Sequence, residues 1–188
     1  MRDLLTGPKR YTDLLAGLPG IGTNLLATRL RELEDRHILR RRALPPPAAS
    51  TVYELTEIGQ GLEPAVMAIG QWGSRFMGEP REGEFLSANA YLLALRGLLR
   101  PDFADRLNTT LELRVSNQVF EVRIAEGRCT TREVQPRSPD ASLSMDVATL
   151  GELLGGRLSA PEALRTGRVD VTGDPDALET FTTVFDRI

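Results

Sequence analysis

The spacing of apolar residues over Ile21–Arg42 predicts one amphipathic helix that breaks into a run of three arginines. Leu26, Leu30 and Leu33 form its inward face. At ~100° per residue, Asn24, Thr28, Arg31 and Asp35 lie opposite, with Ala27 at the margin. That outer face carries an amide, a hydroxyl and a guanidinium, which can hydrogen-bond base edges in a DNA major groove. In isolation such a helix reads as a solvated surface element. Its flanks change that reading.

Upstream, MRDLL predicts the end of a helix, stopped at Gly7-Pro8 because proline disfavours helix in the residue before it. A short helix from Arg10 to Leu18 then turns Leu14, Leu15 and Leu18 inward. Pro19-Gly20-Ile21-Gly22 makes a tight turn, and the long helix is capped near Gly22 or Thr23. Helix, short turn, helix is an arrangement whose second helix enters the major groove. Downstream, Ile38–Ala43 and Thr51–Leu55 predict two strands around a Pro45-Pro46-Pro47 tip. They form a wing that sets Arg40, Arg41 and Arg42 beside the helix; the plain alternative is a hairpin with solvated arginines. Glu57–Met77 predicts a closing helix with Ile58, Leu62, Val66, Ile69 and Trp72 or Phe76 as its apolar stripe. That stripe reads either as core or as a dimer seam.

Gly78–Gly83 is a polar break and the expected domain boundary. Glu84–Leu99 is a strongly apolar helix ended by Pro101. Leu111, Leu113 and Val115 then alternate with Glu112 and Arg114, and Phe120, Val122 and Ile124 with Glu121 and Arg123. Turns at Asn117-Gln118 and Glu126-Gly127 make these an antiparallel meander that continues through Cys129–Val134, with Ser142–Met145 a fourth strand. Val147–Leu154 is a helix; Ser159 and Glu162 fit a capping box for a second, through Arg165. Arg168–Thr172 is a short strand, and Asp174-Pro175 caps a final helix with Leu178, Phe181, Val184 and Phe185. The predicted class is α+β, with helices on one face of a mainly antiparallel sheet.

Charge separates the two parts. Residues 1–56 hold nine Lys/Arg against six Asp/Glu, a net of +3, while residues 79–188 are at −5. An anionic partner therefore suits the first part alone. Cys129 is the single cysteine, which excludes an intrachain disulfide framework, and in a strand it reads as a small buried residue. His37, the single histidine, sits where it would stabilise a helix C-terminus. The chain carries no Walker loop, dinucleotide fingerprint or metal-ligand spacing, so no cofactor and no enzyme activity are expected. With no signal peptide and no apolar run of transmembrane length, a cytoplasmic protein without membrane contact is expected.

The motifs GPKR, LPGI, NLL, RLRELE, VYELT and WG, spread without a gap over residues 1–77, resemble the HxlR family of bacterial winged-helix regulators. The resemblance implies a homodimer on a double-stranded, palindromic operator. It implies that Lys9 and Arg10 contact phosphates, that Thr23, Asn24, Ala27, Thr28 and Arg31 face the groove, and that Arg40, Arg41 and Arg42 touch backbone or minor groove. Asn24 suits adenine and Arg31 guanine. Family members begin with a further helix that packs at the dimer interface, and this chain starts inside it. The stretch LLGGRLSAPEALRTGRVDVTGDPDALETFTTVF, with the meander before it, resembles the sterol carrier protein domain over about residues 100–188. That resemblance implies an apolar tunnel for a lipid or fatty-acyl chain, although Leu143, Met145, Leu150, Leu154, Phe181 and Phe185 read equally as ordinary core.

The expected organisation is a winged helix-turn-helix DNA-binding domain (1–77), a linker and connecting helix (78–99) and a sterol carrier protein-like α+β domain (100–188). The expected function is transcriptional regulation, modulated by an apolar small-molecule effector. The alternatives are a C-terminal domain that only dimerises or holds a partner protein, and a lipid-binding protein whose winged helix no longer binds DNA.

Overall fold

The computed structural model describes residues 1–46, 49–74 and 87–187. The chain divides into two compact units, Met1–Gly70 and Gln71–Ile188.

The first unit runs from a 3-10 turn at Arg2–Leu4 through β1 (Lys9–Arg10), α1 (Tyr11–Ala16), α2 (Thr23–Asp35), β2 (Leu39–Ala43), β3 (Thr51–Leu55) and α3 (Glu57–Gln60) into α4 (Glu63–Ser74). Leu4, Leu14, Leu26, Leu30, Leu39 and Leu55 form its core, so the apolar stripe of α2 faces inward as its spacing requires. Gly22 is the N-cap of α2. The helix ends in a Schellman closure: His37 takes φ 56°, its N–H donates to the Glu34 carbonyl, and the Ile38 N–H donates to the Leu33 carbonyl. The backbone of His37 makes this cap, and its side chain is exposed.

Two features depart from expectation. Lys9–Arg10 forms a short strand that pairs antiparallel with β3, Lys9 opposite Tyr53 and Arg10 opposite Val52, giving the sheet order β1-β3-β2. The single helix expected over Glu57–Met77 is broken at Gly61-Leu62. Pro64 explains the break, since it lacks an N–H and its ring would strike the carbonyl four residues back in a continuous helix. Ile58, Ile69 and Trp72 of the expected stripe are 65%, 67% and 63% exposed, so they are not core of the single chain. Phe76, the Gly78–Gly83 break, Leu86 and the Pro47 end of the wing tip lie outside the described residues.

The second unit contains α5 (Ala88–Leu98), α6 (Pro101–Ala104), β4 (Thr109–Val115), β5 (Gln118–Ala125), β6 (Arg128–Arg132), β7 (Ala141–Met145), α7 (Val147–Leu154), α8 (Ala160–Arg165), β8 (Asp170–Gly173) and α9 (Ala177–Val184). Its sheet has the order β6-β5-β4-β7-β8. The meander β4-β5-β6 is antiparallel and β7 pairs antiparallel with β8. β7, however, lies parallel to β4, with Leu113 opposite Leu143 and Val115 opposite Met145. One sheet face buries Leu113, Val122 and Leu143 against Leu92 and Leu95 of α5, Leu150 of α7 and Phe181 of α9. The other carries Arg114, Arg123 and Arg132 to solvent, as the alternation predicts. Arg96 fastens α5 to the edge strand, donating to Thr131 Oγ1 at 3.0 Å and to its carbonyl at 2.5 Å. Ser159 caps α8 by accepting from the Glu162 N–H. Arg168 returns the chain to α7 by gripping both Glu152 oxygens, at 2.6 and 3.0 Å. Among the described residues no helix is long and apolar enough to cross a membrane.

Candidate nucleic-acid interface

The turn between α1 and α2 is held by the Ile21 N–H, which donates to the Leu18 carbonyl at 3.1 Å, and by the Tyr11 hydroxyl, which donates to the Thr23 carbonyl at 2.7 Å. With Leu26 and Leu30 committed to the core, Thr23, Asn24, Thr28 and Arg31 are exposed and Ala27 is half-buried. Thr28 Oγ1 donates to the Asn24 carbonyl at 2.9 Å and Arg31 Nε to the Ala27 carbonyl at 3.3 Å. These bonds steer both side chains along the helix and leave the terminal guanidinium nitrogens of Arg31 available. Arg10 is exposed at the start of α1, where its N–H donates to the Asp13 carboxylate at 3.0 Å.

Lys9 departs from the expectation of a phosphate contact. Pairing of β1 with β3 turns it inward, and it is 4% exposed. Burial pushes its ammonium down from 10.5 to about 8, against the opposing pull of Asp3 and Asp13. Between those two values the unfolded chain binds more protons than the folded one, so stability should rise as pH climbs from about 8 towards 10.5. At ~1.4 kcal/mol per pKa unit the gain is of order 2–3 kcal/mol. Urea titrations of wild type and Lys9→Met through this range should show the rise in wild type alone; identical profiles would contradict it.

All three wing arginines are already paired with carboxylates. Arg40 and Arg42 both donate to Glu54, at 2.8 and 2.7 Å, and Arg41 donates to Glu34 of α2 at 2.9 Å. Burial works against the charge of Glu54, but the hydrogen bonds from Arg42 and Arg40 outweigh it and hold the carboxyl below the usual carboxylate range. Neither glutamate stood out in the sequence. The signal was strand register: pairing Ala43 with Thr51 across the tip sets Arg40 opposite Glu54.

In the second unit, Leu143, Met145, Leu150, Leu154, Phe181 and Phe185 are all buried, with the two phenylalanine rings edge-on at 5.5 Å. A cavity of about 290 Å³ opens between the ends of α7 and α9 and the start of α8. Leu153, Leu154, Leu158 and Phe185 lie at its floor, while Ser159, Thr182, Thr183 and Arg187 help make its accessible lining mostly polar. Cys129 is buried, which pushes its thiol up to about 12 and makes it a packed side chain rather than a thiolate.

Comparison with known proteins follows the same division. The HxlR-like helix-turn-helix family matches residues 1–81 and the SCP-2 sterol transfer family matches residues 92–186. The HTH-type transcriptional regulator YodB of Bacillus subtilis (strain 168) is 36% identical over 73 residues, or 39% of this chain and 65% of YodB. The chain thus spans just under two thirds of that relative's length. The uncharacterized HTH-type transcriptional regulator YkvN of the same organism is 34% identical over 83 residues, covering 44% of this chain and 70% of YkvN. A likeness of fold alone links the chain to the sec-alkylsulfatase Pisa1 from Pseudomonas sp., with TM-score 0.51, 23% identity, and coverage of 55% of this chain and 17% of that one. The chain belongs to the HxlR-like helix-turn-helix family through its first part and to the SCP-2 sterol transfer family through its second.

Proposed function

We propose that this chain is a transcriptional regulator that binds a palindromic DNA operator as a homodimer and responds to an apolar small molecule held in its second unit. The observation that carries this reading is the α1–turn–α2 arrangement, which commits one face of α2 to the core and leaves Asn24, Thr28 and Arg31 exposed on another. The helix-turn-helix relatives support it. Asn24 and Arg31 are assigned to base edges, and Thr23, Ala27 and Thr28 to the fit in the groove. Arg10, Arg40, Arg41 and Arg42 are assigned to phosphates, and Lys9 to anchoring β1. The exposed Ile58, Ile69 and Trp72 support a homodimer seam. In this division residues 1–77 bind DNA and residues 100–188 hold the effector. α5 both connects them and contributes Leu92 and Leu95 to the second core.

Titration against the promoter upstream of the chain's own gene tests the reading. Wild-type affinity should fall with added salt as phosphate contacts release counterions. Arg31→Ala should weaken it about 5- to 150-fold, the discrimination carried by one good base contact. Wild-type protein with no sequence preference would overturn the DNA reading. For the effector, native mass spectrometry of protein purified from its host should find a retained apolar molecule. A unit that is empty and also takes up no lipid probe would remove the effector from the proposal.

A further inference from the structure

We propose that Glu54, seconded by Glu34, is a built-in competitor for DNA phosphate that sets how much positive charge the wing offers; this rests on the DNA-binding reading above. Strand geometry makes the arrangement unavoidable. Side chains alternate along β2, so Arg40 and Arg42 share one face and Arg41 takes the other. Glu54 stands opposite Arg40 on β3, and its two oxygens are taken by different guanidinium groups, Oε1 by Arg40 and Oε2 by Arg42. The glutamate side chain is 12% exposed, while those of Arg40 and Arg42 are 67% and 44% exposed. One carboxylate is thus roofed by two cations that remain at the surface. On the opposite face Glu34 reaches from α2 to Arg41.

Three guanidinium charges therefore meet two carboxylates before any DNA arrives. All three pairs use Nε, which leaves the terminal nitrogens for a phosphate. Glu54 then acts in two opposing ways. It orients two flexible side chains, and it cancels part of the field that a phosphate would feel. Orientation by an exposed ion pair is a small effect. Glutamine at this position keeps the shape and can still accept from one arginine. Phosphate affinity, by contrast, depends steeply on the charge presented. Cancellation wins, and the wild-type wing holds DNA more loosely than its three arginines would allow.

The test titrates full-length wild type and Glu54→Gln against two duplexes of equal length, the upstream promoter and a random sequence, at several salt concentrations. Glu54→Gln is expected to bind both more tightly by a similar factor, about 3- to 10-fold, with a steeper dependence on salt. The ratio between the duplexes should stay constant, because phosphate contacts carry no sequence information. Adding Arg40→Ala and Arg42→Ala to Glu54→Gln should abolish the gain. Glu34→Gln provides an independent variant on the opposite face and should shift affinity in the same direction. Equal or weaker binding by folded Glu54→Gln, or a gain that survives loss of both arginines, would overturn the proposal while leaving wild-type binding intact. Wild type that binds neither duplex would instead remove the DNA-binding reading, and this inference with it.

Discussion

Replacing Gly59 with alanine is expected to destabilise the first unit by about 3 kcal/mol or more, beyond the usual range for a single added methyl. A Cβ on Gly59 would overlap the Ile38 carbonyl oxygen and would stand 3.1 Å from both the Ile38 carbonyl carbon and Leu55 Cδ2. Most of what it meets is backbone, and that backbone is held. The Thr56 N–H donates to the Ile38 carbonyl at 3.1 Å, and Thr56 Oγ1 donates to the His37 carbonyl at 2.6 Å while accepting from the Gly59 N–H. Thr56 thus stitches the end of α2 to the start of α3, and a methyl at position 59 pries that joint open. The midpoint of urea denaturation measures the effect. A loss of less than about 0.5 kcal/mol, the scale of a neutral surface change, would mean that α3 slides to accommodate the methyl.

Ile69→Glu should produce monomer and cost operator binding about a hundredfold or more, because two linked half-site contacts become one. Ile69 is 67% exposed on α4, three residues before Trp72, at 63%. Both side chains therefore fall on neighbouring positions of one helix face. In the proposed homodimer that face is covered, and a carboxylate there would be stripped of water without a partner. Sedimentation equilibrium and promoter titration on the same sample check both halves of the prediction. A variant that remains dimeric with wild-type affinity would place the seam elsewhere.

Elements with a sustained period were legible in the sequence. The strand Thr51–Leu55 and the helix Val147–Leu154 fall where their patterns put them, and α2 begins at its capping glycine. What the sequence hid was set by pairing. A two-residue strand has no period, so nothing marked Lys9–Arg10 as β1. Lysine reads as surface by type, and only the register against Tyr53 turns Lys9 inward. The carboxylate partners of the arginine run did not show in the pattern because Glu54 is 14 positions away from Arg40 and Glu34 is 7 away from Arg41. Hydrophobic alternation identified β7 as a strand but carries no information about its neighbour, and the parallel pairing with β4 comes from the chain crossing back beside the meander. In the candidate interface, the exposure of the α2 face followed from helical periodicity alone, whereas the state of the wing depended on contacts between elements.

The place of β4 at the middle of its sheet also bears on the order in which the protein can be made. As the chain leaves the ribosome, β4, β5 and β6 can zip together at once through short turns. The far edge of β4, backed by Leu111, Leu113 and Val115, then waits for Ala141–Met145, and the edge of β7 waits in turn for Asp170–Gly173. Throughout that interval the nascent sheet offers an unpaired apolar border to any neighbouring chain. A gene cut after the meander would therefore encode a sticky half-sheet rather than a smaller stable unit.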